Sequence, residues 1–321
     1  MRENLIKRSI RPKLGLCSAL MSLMCLSSQG SSAQNVVVIV IDGARYTETF
    51  GAESRYIPRM WNTLRPSGTI WMNFRNEGLT QTIPGHASVS TGTWQVIKND
   101  GTERPSRPTM FEYFRRSTGL GDSVACAVVG KSKLGVLGYS VHPDYGASFG
   151  GRVFVAAGDL AVSDTLRSVL SRFHPRLTLV NLPNADLRAH AAGWTGYLDA
   201  LETADSLVAE AWVFLQSDPF YKDHTILFVT NDHGRHDDVH GGFQHHGDGC
   251  EGCRHIMLLA IGGRFSRGLA VVQQRTQIDL LPSIARFMGF PAPSVEGAVL
   301  LGDTIKVGSV ELGVPTIQPI R

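Results

Sequence analysis

"NVVVIVIDG", residues 35–43, sets six β-branched residues in an unbroken row, Val36 through Ile41, ahead of an Asp-Gly pair. Valine and isoleucine are stiff at χ1 and suit a pleated strand. A strand with one wet face would alternate apolar and polar residues. A continuous apolar run instead predicts a strand covered by protein on both faces, the environment of a parallel sheet between helices. Asp42-Gly43 ends the run with residues that favour a turn.

The same pattern recurs outward along the chain. Apolar runs ending in glycine or a polar cluster appear at 68–78 ("GTIWMNFRNEG"), 123–133 ("SVACAVVGKSK"), 177–186 ("LTLVNLPNAD"), 225–234 ("TILFVTNDHG") and 254–263 ("RHIMLLAIGG"). Between or after them lie stretches with helical periodicity: "PTMFEYFRRSTG", "DTLRSVLSRF", "GYLDALETADSLVAEAWVFLQS" and "TQIDLLPSIARFMGF". Strand alternating with helix predicts an α/β fold of three layers, doubly wound, with a mostly parallel sheet and helices on both faces. No internal repeat or low-complexity tract interrupts it, and "GTERPSRP" (101–108) reads as a surface loop.

The chain has 321 residues, 43% of them hydrophobic and 18% charged. That is enough apolar mass for one large core. The first 33 residues read as a secretory signal peptide: Arg2, Lys7, Arg8, Arg11 and Lys13, then "LGLCSALMSLMCL", then the small-residue exit "SSQGSSAQ", with cleavage expected after Ala33. One catalytic domain is expected over 34–321, in an exported protein that is periplasmic or extracellular. Without the leader's five basic residues and one acidic residue, 26 basic face 27 acidic side chains, a net charge near −1. Nucleic-acid binding is therefore not expected, nor stable membrane association after cleavage. Cys17 and Cys25 leave with the leader. Of the others, Cys126 reads as a buried core thiol. "CEGC", Cys250 to Cys253, reads as a small disulfide loop, and zinc binding there would need two further ligands.

In open α/β sheets ligands bind beyond the carboxyl ends of the strands. The residues there are carboxylates and imidazoles: Asp42 after the first run, Asp186 and His190 after "LTLVNLP", Asp232-His233 after "TILFVTN", and His245-His246 just before the last run. Each alone reads equally well as a cap, a turn residue or a surface pair. Arriving at one sheet edge from separate segments, they suit zinc-like divalent ions.

The ordered strings "VIVIDGARYTETF", "TQTIPGHASVSTG", "ADLRAHAAGW", "VTNDHG", "HHGDG" with "HIMLLAIGG", and "QIDLLPSIARFMGF" resemble the alkaline phosphatase superfamily over about residues 36 to 300. The likeness is to its type I phosphodiesterase/nucleotide pyrophosphatase-like and phosphonoacetate hydrolase-like branches. It implies two divalent metal ions, most simply Zn2+. Asp42, Asp232 and His233 would hold one, with Thr82 bound to it as the nucleophile; Asp186, His190 and His246 would hold the second. By this resemblance His236, His240 and His255 are not ligands. It also implies that Asn99 in "VIKNDG" donates its amide to a phosphoryl oxygen, and that Lys131 and Lys133 in "VVGKSKL" act as paired cations.

A threonine hydroxyl is a weak nucleophile at neutral pH, and metal coordination supplies the missing acidity. Two ions about 4 Å apart can clamp attacking and leaving oxygens of an in-line displacement. The implied reaction is hydrolysis of a small-molecule phosphomonoester, phosphodiester or phosphonate through a phosphothreonine on Thr82. The two ammonium groups favour a dianionic phosphoryl group. "RPSRP" has Glu103 where a formylglycine sulfatase carries its modified Cys or Ser, which disfavours that chemistry. Two other readings stay open: a non-catalytic metal- or ligand-binding protein on the same scaffold, and a phosphotransferase or mutase.

Overall fold

The structure is a computed structural model and describes residues 35–300. The expected signal peptide, with Cys17 and Cys25, lies outside the described residues. The strands are β1 (Asn35–Ile41), β2 (Gly68–Arg75), β3 (Ala125–Val129), β4 (Arg152–Val155), β5 (Leu177–Leu182), β6 (Thr225–Thr230), β7 (His255–Ile261), β8 (Leu269–Val271) and β9 (Arg275–Thr276). They form one sheet in the order β4-β3-β5-β1-β6-β7-β2-β8, with β9 also paired to β2. The helices are α1 (Thr82–Thr91), α2 (Met110–Thr118), α3 (Asp159–Phe173), α4 (Asn184–Ala191), α5 (Gly193–Ser217), α6 (Glu251–Arg254) and α7 (Leu280–Met288).

β1 pairs in parallel with β5 on one side and β6 on the other. Its alternate residues enter different cores: Val36, Val38 and Val40 pack with α1, α2 and α7, and Val37, Ile39 and Ile41 with α3, α4 and α5. Both faces are dry, which is why the run is apolar without alternation. Full burial of each such side chain is worth about 1.5–3 kcal/mol.

The three-layer, mostly parallel α/β architecture expected from the sequence is present. One strand departs from it. β7, whose run is as continuously apolar as that of β1, lies antiparallel to both β6 and β2. Burial on two faces dictates composition and leaves direction open; direction follows from the loop that returns the chain. Strands β4, β8 and β9, of four, three and two residues, carry too few side chains to show a period. Helix α1 also lacks a helical stripe, because all ten of its residues are buried. Among the described residues no helix is long and apolar enough to cross a membrane.

Candidate metal and active site

β1, β3, β5 and β6 are mutually parallel, so their carboxyl ends lie along one edge. Asp42 follows β1, Lys131 follows β3 by way of Gly130, Pro183 leads from β5 into α4 with Asp186 and His190, and Asp232-His233 follow β6. Tight approach is built in. A Cβ on Gly43, whose φ is +68°, would fall 2.8 Å from Arg235 Nη1 and 2.9 Å from Asp186 Oδ1. A Cβ on Gly85 would meet the carbonyl oxygen of Asp232, so only glycine lets α1 lie against that strand end.

Asp42, Asp186, His190, Asp232, His233 and His246 converge. Asp186, His190 and His246 each offer a ligand atom within 4.8 Å of the others, as do Asp42, Asp186 and His233. His233 Nε2 lies 3.7 Å from Asp42 Oδ1 and 3.5 Å from Asp232 Oδ2. Nδ1 of His233 donates to the Gly234 carbonyl at 2.7 Å, and Nδ1 of His246 donates to the Thr80 carbonyl at 3.0 Å. In each ring Nε2 is thus left with its lone pair, as metal-binding imidazoles are usually oriented. Asp42 Oδ1, Asp232 Oδ2 and His233 Nε2 are buried and make no hydrogen bond. Three shielded, unsatisfied acceptors facing one space carry a large desolvation penalty, and a divalent cation is the species that would satisfy them together.

Thr82 is the first residue of α1, after Gln81 at the N-cap, whose side chain makes no capping bond. Lys131 Nζ approaches its Oγ1 at 3.4 Å and also contacts Asp42 Oδ2 at 2.9 Å and Asp186 Oδ2 at 2.6 Å. Burial opposes the charge on Lys131, but Asp42 and Asp186 outweigh it and raise its pKa, so it stays an ammonium. Lys133 is pushed the other way, by burial and by Lys131. Its Nζ donates to the Oδ1 and the carbonyl of Asn99 at 3.0 and 3.1 Å. Asn99 Oδ1 also accepts from Ile83 N at 2.9 Å, capping a free amide of α1. With Oδ1 engaged twice, the amide nitrogen of Asn99 is the end left to donate.

Three residues absent from the sequence-based set line the same centre. Arg235 is wholly buried; its Nη1 meets Asp186 Oδ1 at 2.5 Å, Nη2 donates to the Gln244 carbonyl at 2.7 Å, and Nε bonds the Phe243 carbonyl. His86, on α1, places Nδ1 3.1 Å from Asp232 Oδ2 and 2.8 Å from the Thr82 carbonyl. Asn181, in β5, donates to Asp42 Oδ2 at 3.0 Å and also lies 3.1 Å from His86 Nε2. Burial raises the Asp42 pKa, and the Asp232 carboxylate adds to it. For Asp186 burial acts in the same direction but is overcome by His190, Lys131 and Arg235, which hold its carboxyl well below the usual range. Arg235 was visible only as a neighbour of "NDH", and His86 only as the histidine of "TIPGHAS"; neither sits at a strand end.

No known family's sequence profile and no curated protein matches the chain. Solved structures do. The phosphonate monoester hydrolase SpPMH from Silicibacter pomeroyi superposes with a TM-score of 0.59 at 14% identity, covering 83% of this chain and 76% of its own. A protein in the alkaline phosphatase superfamily from Vibrio parahaemolyticus gives 0.59 at 13%, over 81% and 67%. The fold is alkaline phosphatase-like. A 2-O GAG sulfatase shares this alkaline phosphatase-like fold with a TM-score of 0.64 at 13% identity, over 84% and 73% of the two chains. The likeness extends over phosphonate and sulfate ester hydrolases alike, so the fold alone does not select a branch.

Outside this centre, one expectation changed. Cys250, the N-cap of α6, and Cys253, within that helix, are free thiols and do not close a disulfide loop.

Proposed function

We propose that this protein is an exported, two-metal hydrolase of phosphoric esters that works through a phosphothreonine on Thr82. The observation that carries the reading is the trio of buried, unbonded acceptors on Asp42, Asp232 and His233, beside a threonine hydroxyl approached by the Lys131 ammonium at 3.4 Å. Asp42, Asp232 and His233, with Thr82, would hold one ion, and Asp186, His190 and His246 the other. When bound, the ions would supply the positive charge that acidifies the Thr82 hydroxyl and balances the charge on the phosphoryl oxygens.

The chain's own residues account for the remaining needs. Thr82 Oγ1 loses its proton, forms a bond to phosphorus and displaces the ester oxygen, which leaves as an alcohol after taking up a proton. Water then cleaves the Thr82–phosphorus bond, and phosphate (or a monoester, from a diester) is released. Lys131, within 3.4 Å of Oγ1 and held as an ammonium, stabilises the alkoxide and cannot serve as its base. Lys133 and the Nδ2 of Asn99 donate to the non-bridging oxygens, and Lys133 fixes Asn99 so that its amide does so. Two ammonium groups at this end favour a terminal, dianionic phosphoryl group.

A panel of phosphate monoesters, diesters, phosphonates and sulfate esters, run with metal analysis, tests the assignment. Thr82→Ala is expected to abolish phosphate-ester turnover while two ions stay bound. Undiminished turnover by Thr82→Ala would remove the nucleophile, and hydrolysis of sulfate esters alone would reassign the substrate class.

A further inference from the structure

The segment from Gly234 to His255 brings Arg235 and His246 into the centre, yet its regular structure is one 3-10 turn (Asp238–His240) and the single turn of α6. Its two ends meet away from the catalytic centre in a second group of ligand-type side chains. His236 Nε2 lies 3.3 Å from Asp248 Oδ1, and Cys253 Sγ lies 3.4 Å from that same oxygen. The three offer ligand atoms within 4.8 Å of one another, and the backbone N of Cys250 donates to Asp248 Oδ1 at 2.9 Å, which places the Cys-x2-Cys pair around that carboxylate.

We propose that His236, Asp248, Cys250 and Cys253 form a structural zinc site, separate from the catalytic ions, that clamps this loop. Zinc bonds of about 2.0–2.3 Å in a tetrahedron set ligand atoms roughly 3.3–3.8 Å apart, and the two contacts to Asp248 Oδ1, at 3.3 and 3.4 Å, fall in that range. His236 Nε2 is shielded from solvent and has no hydrogen-bond partner, and Cys253 is fully buried. Cys-x2-Cys with a histidine and a fourth donor is a closed ligand set, which suits a structural ion. A nearby trio, Asp237, His240 and Cys250, is weaker as a site. None of its ligand atoms is buried without a partner, as His236 Nε2 is.

The clamp has a defined mechanical effect. His236 N donates to the His245 carbonyl at 2.8 Å, and Gly234 N donates to the Cys253 carbonyl at 2.8 Å. An ion joining residue 236 to residues 248–253 would close the loop around these bonds and hold His246 at its station. Loop-closing links of this kind reduce the entropy of the open chain.

Cobalt substitution of the full chain, purified under reducing conditions, tests the site. The catalytic set contains no sulfur, so thiolate-to-cobalt charge-transfer absorption in the near ultraviolet reports the clamp alone. The band is expected in the parent protein and absent from Cys253→Ser, which should also bind one equivalent less metal. His236→Ala should likewise lose one equivalent while the catalytic ions stay. Should Cys253→Ser not fold, alkylation of the parent thiols by iodoacetamide should slow more than tenfold on adding zinc and recover with chelator. Absence of the band from the folded parent protein, a Cys250–Cys253 disulfide in the purified chain, or alkylation indifferent to zinc would overturn the proposal. A parent protein with the band and no phosphatase turnover would leave the clamp standing and remove only the catalytic reading.

Discussion

Lys131 Nζ sits 2.6 Å from Asp186 Oδ2, bridging the end of β3 to the first turn of α4. The same nitrogen reaches Asp42 and Thr82, so one ammonium ties three of the candidate groups together. Its position between carboxylates and nucleophile makes it the residue whose removal discriminates best among substrates.

Lys131→Met should lower kcat/KM for p-nitrophenyl phosphate by on the order of 10²–10³, the usual loss when one donor to a developing oxyanion is removed. The loss on bis(p-nitrophenyl) phosphate, with one fewer charge on phosphorus, should be clearly smaller. Lys133→Met should show the same ordering with a smaller amplitude, since it acts partly through Asn99. Equal losses on both esters would contradict the preference for a dianionic group.

Arg235→Met leaves the Asp186 carboxylate without its buried guanidinium partner and the Phe243 and Gln244 carbonyls without their donor. Breaking a buried pair from one side costs about 3–5 kcal/mol. The variant should therefore melt well below the parent in chelator. Saturating zinc should recover part of the difference, because a cation at Asp186 replaces the lost charge. Thermal unfolding with and without zinc measures both.

His86→Ala removes the imidazole that contacts Asp232 Oδ2 and reaches Asn181. Partners that orient a ligand typically contribute 10–100-fold in metal affinity, so competition with a chelating dye should show weakening of that size for one ion and little change for the other. Asp186→Ala should instead empty the His190/His246 site outright.

Asp159 supplies a pH-dependent contribution to stability. It is buried, accepts Asn184 N at the start of α4 at 2.9 Å, and leaves Oδ2 without a partner. Burial pushes its carboxyl up to about 7, well above the ordinary aspartate range. The native chain thus holds this proton more tightly than the unfolded one. Its stabilising effect is complete below about pH 4 and is lost as pH rises to 7, by at most roughly 4 kcal/mol. Asp159→Asn, which keeps the acceptor, should remove that decline and raise the melting temperature at pH 8. An unchanged pH profile in urea unfolding would show that Asp159 ionises normally.

The sequence by itself determined the strands and which polar residues stand at their ends. Six β-branched residues before Asp42, and comparable runs before Lys131, Asp186 and Asp232, require strands dry on both faces, and parallel strands end at a common edge. The residue types gathered at that edge were legible because an Asp or His that ends a strand can be placed without knowledge of its partners. Tertiary structure alone decided the reversed direction of β7, the burial of α1 and the entry of Arg235, His86 and Asn181 into the centre. Those features depend on contacts between residues distant in the chain, such as Arg235–Asp186 at 49 positions and Asn181–Asp42 at 139, whereas periodicity records only which side of its own backbone a residue occupies. The chain announces where a side chain leaves the sheet, and packing chooses what it meets.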